Sequence, residues 1–446
     1  MIPIIHWSDA DAETRSRILG RAQASFASIE ADVKLWIDEV RAKGDEGLLH
    51  YMQVFDQKDG HIGKFATSSF GTQDFRITDL DIERAYDTID RELLLSIRKQ
   101  VELSRKFHTE YAANLPSSFE TTQVTGVTAG YVRRPVASAG LYVPAGKAPL
   151  PTVAQILTVA AKAAGVPRCV VCFPPTSEVS ETAITVAANE AGADEIYRVG
   201  GIAAIAALAY GTETIAKVDV IAGPGNPWVQ AAKLMVSGQV GIDMIAGPSE
   251  AMIVADEGAN PEFIAADILA QCEHGPDSAG VLVTTSLALA EETLRAIDHQ
   301  VTKLSRAHYL DQSLSKYSAL IVVDNDEALL NLVNEYAPEH LEIQLADPDG
   351  FMAQVQNAGS CFLGNYSPIA AGDYATGTNH TLPTGTATRY ASAVSPETFM
   401  KTIQYQRVTK DGLMELQPIV EAISDAEGLD AHKRSVQIRS DSGTQS

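Results

Sequence analysis

A glutamine and a histidine three residues apart form the first candidate metal site in the chain. The apolar residues of the stretch 261–272 recur with helical spacing, which predicts a helix with one buried face. We expect this helix to stop at Gly275-Pro276 and to carry Gln271 and His274 in its last turn. Positions three apart on a helix project from one face, and their donor atoms would point into the same space. The same residues also fit a helix C-terminus in which His274 interacts with the negative end of the helix dipole. Both interpretations remain open at this point.

A carboxylate and an imidazole are adjacent at Glu339 and His340. They lie in the loop 336–341, Tyr-Ala-Pro-Glu-His-Leu, immediately before a predicted strand. Loops at strand ends are where active-site groups of α/β folds usually sit. The alternative interpretation is a solvated Pro-Glu-His loop without a chemical role.

A long segment, 365–384, is rich in Gly, Asn, Asp and His and contains Asp373 and His380. Connections of this length in compact domains are usually functional or disordered. The aromatic and apolar residues of the segment argue against disorder. We therefore expect it to contribute to a site.

Three turns rich in glycine and proline follow predicted strands, at 144–149, 199–201 and 223–227. The last, Gly-Pro-Gly-Asn-Pro, precedes a predicted helix, where backbone N–H groups and the helix N-terminus favour a phosphate. This arrangement suits a dinucleotide. No GxGxxG follows any strand, however, so a plain tight turn is nearly as good an interpretation.

The elements that must position these residues alternate between strand and helix. Such alternation at 140–236, and again at 250–364, predicts an α/β fold with two Rossmann-like parallel-sheet domains. Helices are predicted over residues 8 to about 58, over roughly 78–113 and over about 395–438. The expected organisation is an N-terminal helical segment (1–35), a first, discontinuous α/β domain carrying the candidate metal and base residues (36–139 and 249–394), a second Rossmann-like domain carrying the turns that suit a dinucleotide (140–248) and a C-terminal helical segment (395–446).

The composition restricts the class of partner. The 446 residues include 34 basic and 57 acidic side chains, a net charge of -23. Such an excess repels phosphate backbones and anionic lipid surfaces, so nucleic acid and membrane are not expected partners. A small cationic or zwitterionic substrate fits better.

The ends and the cysteines indicate a cytoplasmic location. The first residues lack the basic and apolar regions of a signal peptide, and no apolar run reaches the roughly 18 residues of a membrane span. Cys169 and Cys172 form a CxxC inside an apolar strand, where positions three apart face opposite sides. We interpret them as packed thiols and not as a redox or zinc pair.

Together these motifs resemble the histidinol dehydrogenase family from about residue 131 to 436. The matching words are GLYVP (140–144), GGIAAIAALAYGTE (200–213), GPGN (223–226), IDMIAGPSE (242–250), EHGPDS (273–278), APEHL (337–341), GDYATGTNHTLPT (372–384) and EGLDAH (427–432). The resemblance implies a homodimer with shared active sites that uses zinc and NAD. It also implies oxidation of a primary alcohol, L-histidinol, through an aldehyde to a carboxylate.

The resemblance assigns roles residue by residue. It implies a zinc site in which one ligand, His432, comes from the partner subunit. It implies that His340 takes the alcohol proton and that Glu339 activates water for attack on the aldehyde. The implied zinc ligands are Gln271, His274, Asp373 and His432; further substrate contacts come from Ser249, His340, His380 and Glu427, and cofactor contacts from Tyr142 and Asn226.

The cofactor contacts and the substrate stay open. Ala203 stands where the family usually has Gln, which removes one expected NAD contact. The family also contains relatives that oxidise other small alcohols, such as sulfopropanediol, and keep the metal and base residues, so such a relative is an alternative. Lys147 and Arg389 could meet an anionic group of such a substrate, but a lone Lys or Arg is more often a surface charge. A non-catalytic binding protein would lack a base or a metal ligand, and a zinc hydrolase would not need NAD.

Overall fold

The chain forms two compact units. The computed structural model describes residues 2–22, 26–55, 70–145, 150–304 and 307–441. The first unit comprises Met1–Glu110 and Ala137–Phe399, and the second comprises Tyr111–Val136 and Met400–Ser446.

The two units together contain the following helices and strands, which alternate through most of the first unit. The helices are α1 (Ala12–Gly20), α2 (Glu30–Lys43), α3 (Asp45–Phe55), α4 (Asp79–Thr88), α5 (Arg91–Asn114), α6 (Pro151–Ala163), α7 (Glu178–Ala191), α8 (Gly201–Tyr210), α9 (Pro227–Val236), α10 (Pro261–Cys272), α11 (Leu287–Val301), α12 (Ala307–Gln312), α13 (Asp326–Tyr336), α14 (Pro348–Met352), α15 (Ile369–Tyr374), α16 (Lys410–Glu427) and α17 (Asp430–Asp441). The strands are β1 (Ile4–His6), β2 (Ser118–Val124), β3 (Val127–Pro135), β4 (Ser138–Tyr142), β5 (Arg168–Cys172), β6 (Glu195–Tyr197), β7 (Val220–Ala222), β8 (Gly241–Ile242), β9 (Glu250–Ala255), β10 (Ala279–Thr284), β11 (Ala319–Val322), β12 (His340–Gln344), β13 (Ser360–Leu363) and β14 (Met400–Val408).

Two parallel sheets form the first unit. The five-stranded sheet has the order β6-β5-β4-β7-β8, and the six-stranded sheet has the order β1-β11-β10-β9-β12-β13. Apart from β1, both follow the same order of third, second, first, fourth and fifth strand along the chain. The expected α/β fold with two Rossmann-like parallel sheets is thereby confirmed.

Helix α8 lies in the core of the five-stranded sheet because its sequence is apolar on every face. Its residues Ile202 to Ala209 are all buried, as expected for a helix without a polar side. Helices α2 and α3 contribute Val33, Leu48 and Tyr51 to the same core. These two helices therefore contact the five-stranded sheet, in contrast to the grouping of 36–139 with the metal-side domain.

The six-stranded sheet is covered on both faces. Alternate residues of β9 point to opposite cores: Ile253 packs with helices α10 and α11, and Met252 packs with α13 and Trp7. A strand that is buried on both faces has a continuous apolar sequence, as Met252–Ala255 has. The free cysteines Cys169 and Cys172 are likewise buried in β5.

The structure corrects three expectations for the flanking segments. Residues 4–6 form an edge strand parallel to β11, within the segment expected to be helical. The helix expected over 78–113 is two helices, because Asp90 accepts N–H groups of Glu92 and Leu93 and so starts a new one. The segment 400–408, expected to be helical, is strand β14.

Strand β14 belongs to an antiparallel sheet of the second unit. The sheet has the order β14-β3-β2, and residues 125–126, Thr-Gly, connect the hairpin between Val124 and Val127. Gly126 has a φ of +79°, which suits glycine in a tight hairpin turn. A Thr-Gly pair between two runs rich in Thr and Val was therefore the signal for this hairpin.

Within the described part of the chain, every helix is too short or too polar to cross a lipid bilayer.

A fully buried ion pair fixes the glycine turn after β7. Lys233 pairs with Asp243, and neither side chain is exposed. The Lys233 ammonium donates to the carbonyl of Gly223 over 2.9 Å, and the Asp243 carboxylate accepts from the Gly223 N–H over 2.8 Å. Both backbone groups of Gly223 are thus held by opposite charges.

We predict that Lys233→Met lowers the free energy of unfolding by about 3–5 kcal/mol, because it leaves the Asp243 carboxylate buried without a counter-charge. The matched control is Lys162→Met, which breaks a partly exposed pair with Asp194 and is expected to cost less than about 1 kcal/mol. Urea denaturation of both variants measures the difference. Equal losses would contradict the role assigned to the buried pair.

Candidate active site

Two neighbouring strands bring the candidate acid–base pair into the interior. Strands β9 and β12 are parallel, with His340 aligned to Ala251. Glu250 opens β9 and His340 opens β12, so this group lies at the amino ends of the strands. The general rule that ligands bind beyond the carboxyl ends of parallel strands therefore does not locate it.

His340 is buried and has one ring nitrogen fixed. Its Nδ1 lies 3.1 Å from the carbonyl oxygen of Glu250, and because a carbonyl only accepts, Nδ1 carries the proton. Its Nε2 has no hydrogen-bond partner among the described residues and lies 3.9 Å from the Asp373 carboxylate. The unprotonated nitrogen of neutral His340 is thus the one that faces Asp373.

The charges around His340 favour its protonated form. Burial lowers the pKa of His340, but the charge and hydrogen bonding of Glu339, together with the charge of Asp373, outweigh burial and raise the pKa to about 9. The Glu339 carboxylate is 3.6 Å from Nδ1. His340 therefore holds a proton readily, as an acid–base group that receives a proton from a substrate must.

Glu339 is held by reciprocal hydrogen bonds with Glu250. Its carboxylate accepts from the Glu250 N–H over 2.8 Å, and its own N–H donates to the Glu250 carboxylate over 3.3 Å. Both glutamates are buried. The Glu339 carboxylate is therefore oriented on the same side as the His340 ring.

Asp373 and His380 approach His340 from the 365–384 segment. Asp373 is on helix α15, and both it and His340 shift the pKa of His380. Burial is the main cause that lowers this pKa, His340 lowers it further, and Asp373 opposes both. The His380 Nε2 is buried without a partner in the described chain. The segment therefore brings two side chains, Asp373 and His380, close enough to interact with His340.

Gln271 and His274 do not both lie in the last helical turn. Helix α10 ends at Cys272, Gln271 is buried in it, and His274 lies in the following turn and is exposed. The amide Nε2 of Gln271 has no partner within the described residues. Helix α10 contacts α15, so the elements that carry Gln271 and Asp373 are neighbours.

The side chains predicted to bind zinc in the first unit have suitable donor atoms but are too few by themselves. The described residues contain no group of three or more His, Cys, Asp or Glu side chains that could hold a metal ion. Gln271, His274 and Asp373 offer an amide oxygen, an imidazole and a carboxylate, all of which zinc accepts, the amide weakly. The set fits zinc only when a further imidazole completes it, and His432 is the predicted one.

The other predicted substrate residues are spread over both units. Ser249 is partly buried just before β9, and its carbonyl accepts from the Ala279 N–H over 3.1 Å. Glu427 ends α16 and His432 is in the first turn of α17; both belong to the second unit and are exposed.

The predicted cofactor residues lie at the carboxyl ends of β4 and β7. These strands are adjacent where the strand order reverses, which is the usual nucleotide site of such folds. Asn226 is exposed and caps α9, and its side chain accepts from the Val229 N–H over 3.1 Å. The loop around Lys147 lies outside the described residues.

The N-terminus of α8 is already bonded within the protein. The hydroxyl of buried Tyr142 accepts from the Gly201 N–H over 3.2 Å, and the Tyr51 hydroxyl accepts from the Ile202 N–H over 3.3 Å. Ala203 is completely buried. Two N–H groups at the start of α8 are therefore already occupied, as is the N–H of Gly223 in the turn after β7.

Sequence reasoning missed a pair of buried acids, Asp267 and Glu342. Glu342 follows His340 by two residues on β12, accepts from the Ile369 N–H that starts α15 over 2.9 Å, and accepts from Gln344. Burial raises the pKa of Asp267 to about 6, and burial together with Asp267 raises that of Glu342 well above its usual value. A carboxyl inside an apolar strand was the available signal.

Comparison with known proteins identifies close relatives. A family model described as histidinol dehydrogenase matches residues 19–440. A histidinol dehydrogenase of Synechococcus sp. is 42% identical over 98% of both chains, and one of Methanocaldococcus jannaschii is 40% identical over 96% of both. The crystal structure of histidinol dehydrogenase from Elizabethkingia anophelis matches with a TM-score of 0.89 and 36% identity, covering 99% of this chain and 98% of that one.

The Asp267–Glu342 pair predicts a pH dependence of stability. Because both pKa values are raised in the folded protein, the folded state binds more protons, and its stability falls as the pH rises above about 4 and through the folded pKa values. We expect Asp267→Asn to make the fall between about pH 4 and 7 shallower, as measured by urea denaturation with a chelator present.

The control for this measurement is Glu291→Gln, which replaces an exposed acid on α11 and should leave the wild-type pH dependence unchanged. A fall of the same steepness in Asp267→Asn and in the wild type would show that the pair does not hold the extra proton.

Proposed function

The chain belongs to the histidinol dehydrogenase family of oxidoreductases, and we propose that it oxidises L-histidinol through the aldehyde to L-histidine with zinc and NAD. The observation that carries the proposal is the geometry of His340. Its Nδ1 is fixed on a carbonyl, and its Nε2 is unpaired among the described residues and faces Asp373. This is the arrangement that a general base requires.

The residues of the chain divide the chemistry into two steps. In the first, His340 Nε2 accepts the proton of the alcohol hydroxyl. In the second, the Glu339 carboxylate takes a proton from water, which then attacks the aldehyde. The buried surroundings of both side chains strengthen these interactions by excluding solvent.

Gln271, His274 and Asp373 of one chain and His432 of the partner subunit would hold zinc. When bound, zinc would supply positive charge to the substrate oxygen, and two NAD molecules would accept the two hydrides, one in each step. The proposed cofactor contacts are Tyr142 and Asn226. Ser249, His380 and Glu427 are the proposed further contacts to the substrate.

An anionic alternative substrate has no support from Arg389. Its guanidinium donates to the carbonyl of Glu335 over 2.6 Å. Arg389 therefore makes a hydrogen bond within the protein that does not involve a substrate. We retain histidinol, whose ammonium and imidazole suit the acidic protein.

Assays should show two NADH formed per histidinol consumed, and a chelator should abolish turnover. We expect His340→Asn to lower kcat by about 100-fold or more, the scale for a lost general base, without loss of fold or zinc. The control is His299→Asn, which changes an exposed histidine on α11. Near-normal activity of His340→Asn would refute the base assignment.

A shared site predicts complementation between two inactive variants. We co-express His340→Asn with His432→Ala, each of which should be inactive alone. If His432 of the partner subunit completes the site, each mixed dimer contains one site with both residues intact, and random pairing restores about a quarter of wild-type activity. If both residues act within one chain, the mixture stays inactive.

A further inference from the structure

Three strained turns meet at Glu250. Among the described residues, only Arg21, Ala337 and Thr386 combine a side chain larger than glycine's with a positive φ, at 53°, 53° and 73°. Such conformations persist where the surroundings impose them, and they concentrate at functional sites. Each of the three lies beside a contact to Glu250, although they are far apart in sequence.

The contacts identify what these turns hold. Arg21 pairs directly with the Glu250 carboxylate. Ala337 stands two residues before Glu339, whose N–H donates to that carboxylate. Thr386 follows Gly385, whose N–H also donates to it over 3.3 Å. One buried carboxylate oxygen therefore organises three chain segments.

Besides the Gly385 N–H, the hydrogen-bond partners of Glu250 include both members of the acid–base pair and Arg21. Its N–H donates to the Glu339 carboxylate, its carbonyl accepts from His340 Nδ1, and its side chain accepts from the Glu339 N–H and from Arg21. Any shift of Glu250 therefore moves the carboxylate of Glu339 and the ring of His340 together.

Arg21 supplies the charge that Glu250 needs. Both side chains are 3% exposed, and the guanidinium lies 3.6 Å above the Tyr336 ring. Burial raises the pKa of Glu250 to about 7; Arg21 opposes this rise and Glu339 adds to it. Without Arg21, the buried carboxylates of Glu250 and Glu339 would lie close together without the positive charge of its guanidinium.

We propose that Arg21 and Glu250 are positioning residues for the Glu339–His340 pair, with Arg21 acting through Glu250. The inference rests on the proposed function, because that function makes the pair the acid–base group. Neither residue is placed in contact with substrate. Their effect is therefore on kcat, and KM for the alcohol and the zinc content stay unchanged.

The test compares Arg21→Met with Arg15→Met in the zinc-loaded enzyme. Arg15 is a matched control: it lies in the same N-terminal segment, stacks on Trp7 with 4.8 Å to the ring centroid, and donates to backbone carbonyls. We expect Arg21→Met to lower kcat at least 10-fold and Arg21→Lys to lower it less. Arg15→Met should lower only the melting temperature.

A double variant tests the route of the effect. If Arg21 acts through Glu250, Glu250→Gln lowers kcat, and Arg21→Met adds little to it. If Arg21→Met alone fails to fold, the kcat of Glu250→Gln still tests whether Glu250 positions the Glu339–His340 pair. Equal kcat in wild type and Glu250→Gln, full additivity, or zinc loss in Arg21→Met would each overturn the proposal.

A substrate-free measurement separates this inference from the proposed function. The ¹⁵N spectrum of the histidine rings, recorded where the His340 ring is neutral and assigned with His340→Asn, should show Nδ1 protonated in wild type and in Arg15→Met. It should show mixed tautomers in Arg21→Met. Wild type without histidinol oxidation would refute the proposed function, whereas an unchanged tautomer in Arg21→Met would refute the inference.

Discussion

The structure of the site depends on offsetting the negative charge of its buried carboxylates with positive charge and hydrogen bonds. A charge taken out of water is costly unless opposite charge and hydrogen bonds replace the solvent. Glu250 meets this requirement with Arg21 and backbone N–H groups, and Glu339 meets it with the Glu250 N–H beside His340. These contacts use the Nδ1 of His340, and its Nε2 has no hydrogen-bond partner within the described residues.

The two parallel sheets have the same strand order but present their candidate chemistry at opposite ends. At the amino ends of β9 and β12, backbone N–H groups precede the ladder and are available to carboxylates, as the reciprocal bonds between Glu250 and Glu339 show. At the carboxyl end of β7, next to that of β4, the turn at Gly223 is fixed by hydrogen bonds to Lys233 and Asp243. Fold order alone therefore does not say which end of a sheet is used.

The N-terminal segment contributes both to the six-stranded sheet and to the contacts of Glu250. Its first residues add an edge strand to the six-stranded sheet, and Arg21, which directly follows helix α1, pairs with Glu250. The acid pair Asp267 and Glu342 connects helix α10, strand β12 and the start of α15. The elements that carry the proposed metal and base residues are thus linked through buried polar contacts.

The sequence by itself determined the alternation of strands and helices, and with it the two parallel sheets. Local patterns of apolar residues predict both a buried strand such as Met252–Ala255 and a helix such as α8. It also singled out Glu339, His340 and Asp373 through their residue types. It did not reveal β14, whose register comes from pairing with β3. Only the tertiary structure decided that Arg21 contacts Glu250 across 229 positions and that His340 Nδ1 is fixed by the Glu250 carbonyl. The physical reason is that burial and charge pairing between distant segments are set by packing, which leaves no periodic signal in the chain.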